Sequence, residues 1–127
     1  MPVKASLNSI ILFVRDVERL SDFYTGIFQL DLIEHTPQMW ALLKAGNMSI
    51  GLHRIGQEYL AETDDSFRVD NNVKLVFEIF EDIHQLRESL LQSGVTIRDV
   101  KTFENYDYRL CDGEDPEGNV FQLKQGK

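Results

Sequence analysis

The chain has 127 residues, 43% of them apolar, and a formal net charge of −8 at pH 7. A chain of this length predicts a single domain, which buries roughly two thirds of the surface that its unfolded form exposes. The acidic balance argues against DNA or RNA as a partner, because nucleic-acid binding needs basic residues, and no apolar run reaches the ~18 residues of a membrane span.

The first half of the chain reads as one strand, one helix and three more strands. Residues 7–14 form an apolar strand candidate, and Asp16 stands where the N-cap of a helix belongs. Pro37 separates the next two strands, and Gly46 belongs to the turn before the last one. The helix carries its apolar residues on one stripe, which predicts packing against a sheet. The stripe is Leu20, Tyr24, Ile27 and Phe28, and the three strands are about 30–35, 38–44 and 48–54.

The same order recurs in the second half. Residues 73–80 form a strand candidate, Asp82 is placed to cap a helix, and Gly94 follows that helix as a C′ residue would. The helix again has one apolar face, formed by Ile83, Leu86, Leu90 and Leu91. Three more strands are predicted, at about 95–101, 106–112 and 119–124.

A tight turn precedes the final strand. Pro116 suits the second position of a type I turn, Asp115 can accept hydrogen bonds from the turn backbone, and Gly118 tolerates the positive φ that closes it. The strand after the turn alternates, so its two faces differ. One face carries Asn119, Phe121 and Leu123, and the other carries Val120, Gln122 and Lys124.

This duplication predicts the fold class. We expect an α+β protein in which two tandem βαβββ modules, about 7–54 and 72–125, form one domain over residues 1–127. A polar linker, 55–71, connects them. Each short sheet has one face for its helix and another that must be covered or used. The two modules are therefore expected to form an open, curled mixed sheet around a central cavity.

Three stretches carry a resemblance to a known family. They are IILFVRDVERLSDFYTGIFQL near the start, LVFEIFEDIHQLRESLLQSGV in the middle and DPEGNVFQL near the end. The chain resembles the vicinal oxygen chelate (VOC) superfamily, which contains glyoxalase I, the extradiol dioxygenases, and the bleomycin- and fosfomycin-resistance proteins. The resemblance covers nearly the whole chain, and it implies paired βαβββ modules, a pocket and commonly a homodimer.

In the enzymes of this family a divalent metal is held by His, Glu or Gln residues from the first and fourth strands of each module. At the positions that match these metal ligands, this chain has Ser9, Gly51, Lys74 and Gln122. Serine and glycine are poor or impossible side-chain ligands, and lysine brings a positive charge to the place of a cation. Only Gln122 is suited to coordination. We therefore expect no metal and no cofactor, and we assign no catalytic residue.

The strand alternation places a set of candidate residues on the concave side of the sheets. The small residues Ser9 and Gly51 are expected to leave room for a ligand, and Lys74 to supply the positive charge that a metal gives elsewhere. The expected ligand is small and acidic or aromatic. It is expected to carry an acidic or carbonyl group near Lys74, on an aromatic or aliphatic body that rests on residues such as Trp40 or Tyr108. The predicted ligand-binding set is Ser9, Ile11, Trp40, Gly51, His53, Lys74, Glu78, Tyr108 and Gln122.

Structural explanations compete with this hypothesis. Lys74 is as well explained by an ion pair, with Glu78 on the same strand or with an acid across the sheet. His53 lies near a strand end, where a solvated or structural histidine is the commoner case, and Trp40 suits a core or a dimer interface as well as a ligand site. The lone cysteine, Cys111, excludes an intramolecular disulfide and fits a buried strand position.

Three functions remain open. The first is a metal-independent small-molecule-binding protein of the bleomycin-resistance type. The second is a glyoxalase- or dioxygenase-like lyase or isomerase, with a metal held by His53, Glu78 and Gln122 or with Lys74 or Glu78 moving a proton. The third is a dimeric interaction protein with a vestigial pocket. The first residues lack the apolar core of a signal peptide, so a cytoplasmic location is expected.

Overall fold

The computed structural model describes residues 2–56 and 72–127, which fall into two compact units, called module one and module two below. The predicted linker, 55–71, lies almost entirely outside the described residues. No helix in the described parts of the chain is long and apolar enough to cross a membrane.

Module one has the predicted β-α-β-β-β order. Its sheet runs β1-β4-β3-β2, with β1 and β4 parallel and the other neighbours antiparallel. A β-bulge between Leu32 and Glu34 interrupts the register of the edge strand. The elements are β1 (Ser9–Val14), α1 (Val17–Phe28), β2 (Asp31–Thr36), β3 (Trp40–Ala45) and β4 (Met48–Arg54).

Module two repeats this arrangement, which confirms the predicted duplication. Its sheet runs β5-β8-β7-β6, again with one parallel pair, β5 and β8, and antiparallel neighbours elsewhere. The elements are β5 (Lys74–Glu78), α2 (Ile83–Gln92), β6 (Thr96–Ile97), β7 (Tyr108–Glu114) and β8 (Val120–Gly126).

Both helices begin at the predicted aspartates. The Asp16 carboxylate accepts a hydrogen bond from Arg19 N at 3.0 Å, and Asp82 accepts from His84 N at 2.8 Å and Gln85 N at 3.2 Å. These bonds satisfy backbone donors that the first turn leaves unpaired. Gly94 follows α2 at φ +87°, as the C′ residue predicted from the sequence.

One face of each sheet is buried against its helix. Apolar residues at every second position of the strands form this face. In module one, Leu12 and Val14 of β1 are buried with Leu20 and Tyr24 of α1, while Ile11 and Phe13 on the other face of β1 are exposed. In module two the buried face includes Leu75, Cys111, Phe121 and Leu123, with Ile83 and Leu90 of α2. The opposite face, which the helix does not cover, is called the helix-free face of each module.

The strand expected at 95–101 is much shorter than predicted. Only Thr96–Ile97 pair as a ladder, and a single bridge joins Lys101 to Leu110 farther on. The carbonyl of Arg98 accepts from Arg87 Nε at 2.7 Å and from Cys111 Sγ at 3.3 Å. Because side chains take this carbonyl, the ladder does not continue through it. The sequence pattern does not reveal those two donors.

The turn before β8 forms as predicted. Gly118 N donates to Asp115 O at 2.9 Å and has φ +90°. The Asp115 carboxylate accepts from Glu117 N at 2.9 Å and from Asn119 N at 3.0 Å, and all three side chains are buried. The turn therefore fixes the start of β8, and with it which residues of that strand face away from α2.

Candidate ligand site on the helix-free faces

The helix-free face of module one carries the predicted residues of β1 and β4 side by side. Ser9 pairs with Ser49, Ile11 with Gly51 and Phe13 with His53 in the parallel ladder between these strands. Trp40 on β3 is opposite His53. Alternation thus brings Ser9, Ile11, Gly51, His53 and Trp40 onto one surface, as the sequence predicted.

The space above Gly51 is filled, contrary to the expected room for a ligand. A Cβ atom at position 51 would lie 2.5 Å from Cη2 of Trp40 and 3.1 Å from Cγ1 of Ile11. The glycine is buried because the indole ring covers it. Its missing side chain therefore admits the ring of Trp40, and the ring itself becomes the surface offered at this place.

Three aromatic rings form a continuous wall on this face. The His53 ring lies 5.3 Å from the Phe13 ring and 6.1 Å from the Trp40 ring, the latter edge-on. The indole N–H of Trp40 donates to Glu34 Oε1 at 3.0 Å, which fixes the ring plane. Phe13 is 63% exposed. Phe13, His53 and Trp40 are called the aromatic wall below.

His53 is held by its own backbone neighbourhood. Its Nδ1 lies 2.7 Å from the carbonyl oxygen of Arg54, an acceptor, so Nδ1 carries the proton. This bond turns the ring between Phe13 and Trp40. His53 thus has a structural contact and also an exposed position on the wall, which combines the two interpretations that the sequence left open.

Module two carries a polar group of three residues. Lys74 Nζ donates to Asp112 Oδ2 at 2.9 Å, and Gln122 Nε2 donates to Asp112 Oδ1 at 3.0 Å. Asp112 lies directly opposite Gln122 in the pairing of β7 with β8. Lys74 therefore takes an acid across the sheet as its partner, one of the two structural pairings weighed from the sequence.

The Asp112 carboxylate is charged in the folded protein. Partial burial by itself raises the pKa of Asp112, but the hydrogen bonds from Lys74 and Gln122 and the charges of Lys74 and Arg98 more than offset it, so the pKa lies below its usual value. The positive charge of Lys74 consequently has a negative partner within hydrogen-bond distance. The structure therefore contains the ion pair across the sheet that the sequence left open for Lys74, and a ligand-binding role of Lys74 stays a prediction.

The remaining candidates lie farther along the same face. Lys124 Nζ is 4.2 Å from the centre of the Tyr108 ring, and Glu78 is opposite Lys124 in the pairing of β5 with β8. Tyr106 packs beside Tyr108, with 5.6 Å between ring centres. A cation over an aromatic face is attractive, so Tyr108 is engaged within its own module.

The four family metal positions do not fit a metal ion. Gly51 offers no donor atom and its place is covered by Trp40. Lys74 carries a cation that is already paired, and the amide group of Gln122 is turned by Asp112. Within residues 2–56 and 72–127, no three His, Cys, Asp or Glu side chains gather as a metal-binding group.

Three other titratable residues among the described ones have structural contacts. His35 Nε2 lies 2.8 Å from Glu18 Oε1, which also accepts from Gln38 N at 3.0 Å. The hydrogen bond from His35 is the main reason that the pKa of Glu18 is lowered. Cys111 is buried, and burial raises the pKa of its thiol, which fits the structural role expected for it.

Sequence reasoning missed three residues of these faces: Phe13, Glu34 and Asp112. Phe13 lies two residues after Ile11 on β1, and Asp112 lies four residues after Tyr108 on β7. Side chains alternate between the two faces of a strand, so the spacing by itself places both residues on the helix-free faces. Glu34 follows a β-bulge, which shifts its register. A period of two does not place a residue beyond such a bulge.

The comparisons with known proteins agree with this architecture. A family model of the Glyoxalase/Bleomycin resistance protein/Dioxygenase superfamily matches residues 6–123. The chain therefore belongs to this superfamily, the VOC superfamily whose resemblance is visible in the sequence. No curated protein matches the chain.

Several solved structures share the fold. A glyoxalase/bleomycin resistance protein/dioxygenase family enzyme from Burkholderia phytofirmans is 24% identical, with TM-score 0.77 over 97% of this chain and 100% of that chain. A lactoylglutathione lyase from Agrobacterium tumefaciens is 14% identical, with TM-score 0.74 over 97% and 95%. A fosfomycin resistance protein from Listeria monocytogenes is 17% identical, with TM-score 0.70 over 100% and 96%. At these identities the likeness concerns the fold alone.

Proposed function

We propose that this protein binds a small aromatic molecule without a metal ion, as a binding protein of the bleomycin-resistance type. The observation that carries the proposal is the aromatic wall of module one. Phe13, His53 and Trp40 form a contiguous aromatic surface on the side of the sheet that α1 does not cover. Aromatic side chains together with a few polar groups are what usually line small-molecule sites.

Two of the three rings of the aromatic wall are held by contacts within module one. The indole of Trp40 is fixed by its hydrogen bond to Glu34 and by its contact with Gly51, and His53 is fixed by the carbonyl of Arg54. A surface that is already ordered loses little conformational entropy when a ligand binds. Offset or edge-on stacking with aromatic side chains then adds about 0.5–1.5 kcal/mol per ring pair.

Binding in this proposal uses no metal. The positions that hold metal ligands in family enzymes are occupied here by a covered glycine, a serine, a paired lysine and a glutamine. Because the charge of Lys74 is already paired with Asp112, the proposal does not rely on an acidic group in the ligand. The proposal also includes assembly as a homodimer, which is common in the family, and a cytoplasmic location.

The test uses Trp40, the one tryptophan of the sequence, as an intrinsic fluorescent reporter. Benzamide and benzyl alcohol, which do not emit in the tryptophan window, are titrated while the emission of Trp40 and the melting temperature are recorded, with EDTA and with added Zn²⁺ or Ni²⁺. We expect at least one probe to change the emission and to raise the melting temperature equally with and without metal, because a ligand of the folded state stabilises it.

Two matched variants locate the binding. Phe13→Ala removes a ring of the aromatic wall, whereas Phe103→Ala removes a ring from module two. The two rings are similarly exposed, 63% for Phe13 and 52% for Phe103. We expect the first to weaken probe binding about tenfold, as loss of a stacked ring implies, and the second to leave it unchanged. Binding abolished by EDTA, or equal loss in both variants, contradicts the proposal.

A further inference from the structure

We propose that Lys74, Asp112 and Gln122 form a polar subsite that recognises a neutral carboxamide-type group and discriminates against a carboxylate. Such a group accepts one hydrogen bond and donates another. This inference goes beyond the proposed function, because it assigns a separate polar site that lies wholly within module two. It reverses the preference for an acidic group that Lys74 by itself indicates.

The three side chains are brought together by the strand register of module two. Gln122 and Asp112 are directly opposite each other on β8 and β7, while Lys74 on β5 pairs with Val120, two residues before Gln122. Lys74 and Gln122 each donate to a different oxygen of the same carboxylate. The carboxylate thus fixes the direction of both donors.

Asp112 determines which end of the Gln122 amide remains for a ligand. A charged carboxylate only accepts hydrogen bonds, so the amide must turn its NH₂ group toward Asp112. The carbonyl oxygen of Gln122 is then directed elsewhere and acts as an acceptor. This orientation follows from the chemistry of the pair, whichever way the amide atoms are first assigned.

Lys74 leaves donors for a ligand but little net charge. An ammonium group has three N–H donors, and in the described parts of the chain Asp112 is the one acceptor bonded to Lys74. Its charge is compensated by Asp112 at 2.9 Å, and Gln122 is neutral. The group of three is therefore neutral as a whole, yet it offers a strong donor beside an acceptor.

A primary or secondary amide complements this arrangement. Its carbonyl oxygen accepts from Lys74, and its N–H donates to the carbonyl oxygen of Gln122. A carboxylate satisfies Lys74 equally well, but its second oxygen then meets the Gln122 oxygen, acceptor against acceptor, and its charge meets that of Asp112. Specificity of this kind comes from the repulsive contact as much as from the attractive one.

The test compares benzamide with benzoate, which have the same ring and differ in the polar group. Binding to the full chain is followed by ¹H–¹⁵N NMR, with the side-chain NH₂ signals of Gln122 as the local reporter. We expect benzamide to bind about tenfold more tightly than benzoate, the value of one good hydrogen bond, and to shift the Gln122 signals. Asp112→Asn should reverse the preference, because it leaves the Lys74 charge uncompensated.

The matched control is Glu114→Gln, which removes another carboxylate of β7, paired with Arg98 at 2.9 Å. It should keep the benzamide preference. Lys74→Met is a second variant that should weaken benzamide about tenfold while the melting temperature stays close to that of the wild type. Benzoate binding as tightly as benzamide, or an unchanged preference in Asp112→Asn, overturns this inference alone when Trp40 still responds to aromatic probes. If no aromatic probe alters Trp40 emission, the proposed function fails as well.

Discussion

The indole ring of Trp40 lies where a side chain at residue 51 would have to be. A Cβ atom there would be 2.5 Å from Cη2 and 3.0 Å from Cζ3 of the ring, and the first distance is shorter than a Cβ atom keeps from a non-bonded carbon. Gly51 on β4 is opposite Leu42 on β3, so Trp40, which is opposite His53, lies diagonally across from the glycine. The glycine therefore allows the ring to lie over this part of β4, and the aromatic wall depends on it.

Gly51→Ala should destabilise the protein and alter the environment of Trp40. The added methyl group displaces the indole or bends the strand, and overpacking of this kind costs about 1–3 kcal/mol. Urea unfolding and the emission maximum of Trp40 measure the two effects. The control is Gly26→Ala in α1, where a Cβ meets no atom within 4 Å and where we expect a gain of about 0.4–1 kcal/mol. Unchanged stability and emission in Gly51→Ala would show that the ring is free to move.

Glu34→Ala should loosen Trp40 without unfolding module one. The substitution removes the acceptor of the indole N–H at 3.0 Å, a bond worth about 0.5–1.5 kcal/mol. We expect a red-shifted, more readily quenched emission, measured by acrylamide quenching. Glu34→Gln keeps a carbonyl oxygen at this place and should behave like the wild type. Equal quenching in all three proteins would mean that the hydrogen bond does not hold the ring.

Lys74→Met should raise the pKa of Asp112, because the variant removes a hydrogen bond and a positive charge from the carboxylate. A depressed carboxyl pKa stabilises the folded state above the unfolded pKa near 4, and this stability is lost as the pH falls through the folded pKa. In the variant the folded pKa lies closer to the unfolded value, so Asp112 contributes less stability above pH ~4 and less stability is lost on acidification. The carboxyl ¹³C signal of Asp112, followed from pH 2 to 7, measures the shift.

Gln122→Met is the graded comparison for that titration. It removes one neutral hydrogen bond from Asp112 and leaves the charge of Lys74 in place. The pKa of Asp112 should rise less than in Lys74→Met. A larger rise in Gln122→Met, or none in Lys74→Met, would contradict the arrangement described for module two. The stability change itself should stay within about 1 kcal/mol, since both partners of the ion pair are partly exposed to solvent.

Glu18→Gln should reduce the acid sensitivity of module one. The hydrogen bond from His35, followed by that from the backbone N–H of Gln38, lowers the pKa of Glu18. The wild type thus gains stability from Glu18 above pH ~4 and loses it as the pH falls further. The difference in urea midpoint between wild type and variant should shrink from pH 6 to pH 3. A difference that stays constant from pH 6 to pH 3 would contradict this role of Glu18.

The sequence predicted the local structure well because local chemistry determines it. Asp16, Asp82 and Gly94 mark helix ends through bonds to residues one turn away, and Pro116 and Gly118 set a turn by their own φ preferences. Alternation along β1 and β8 likewise assigned each residue to a face. The strand at 95–101 was overestimated because side chains from α2 and β7 take the carbonyl of Arg98.

The contacts between side chains of different strands on the helix-free faces depend on the tertiary structure. Asp112 is 38 residues from Lys74 in the chain, and only the order of strands β5-β8-β7 brings the two charges together. The sequence predicts open space at Gly51, because the residues next to it in the chain do not indicate that the ring of Trp40 covers it. The period of two along a strand specifies a face, but the contact partner across strands depends on register and side-chain direction, which are properties of the assembled sheet.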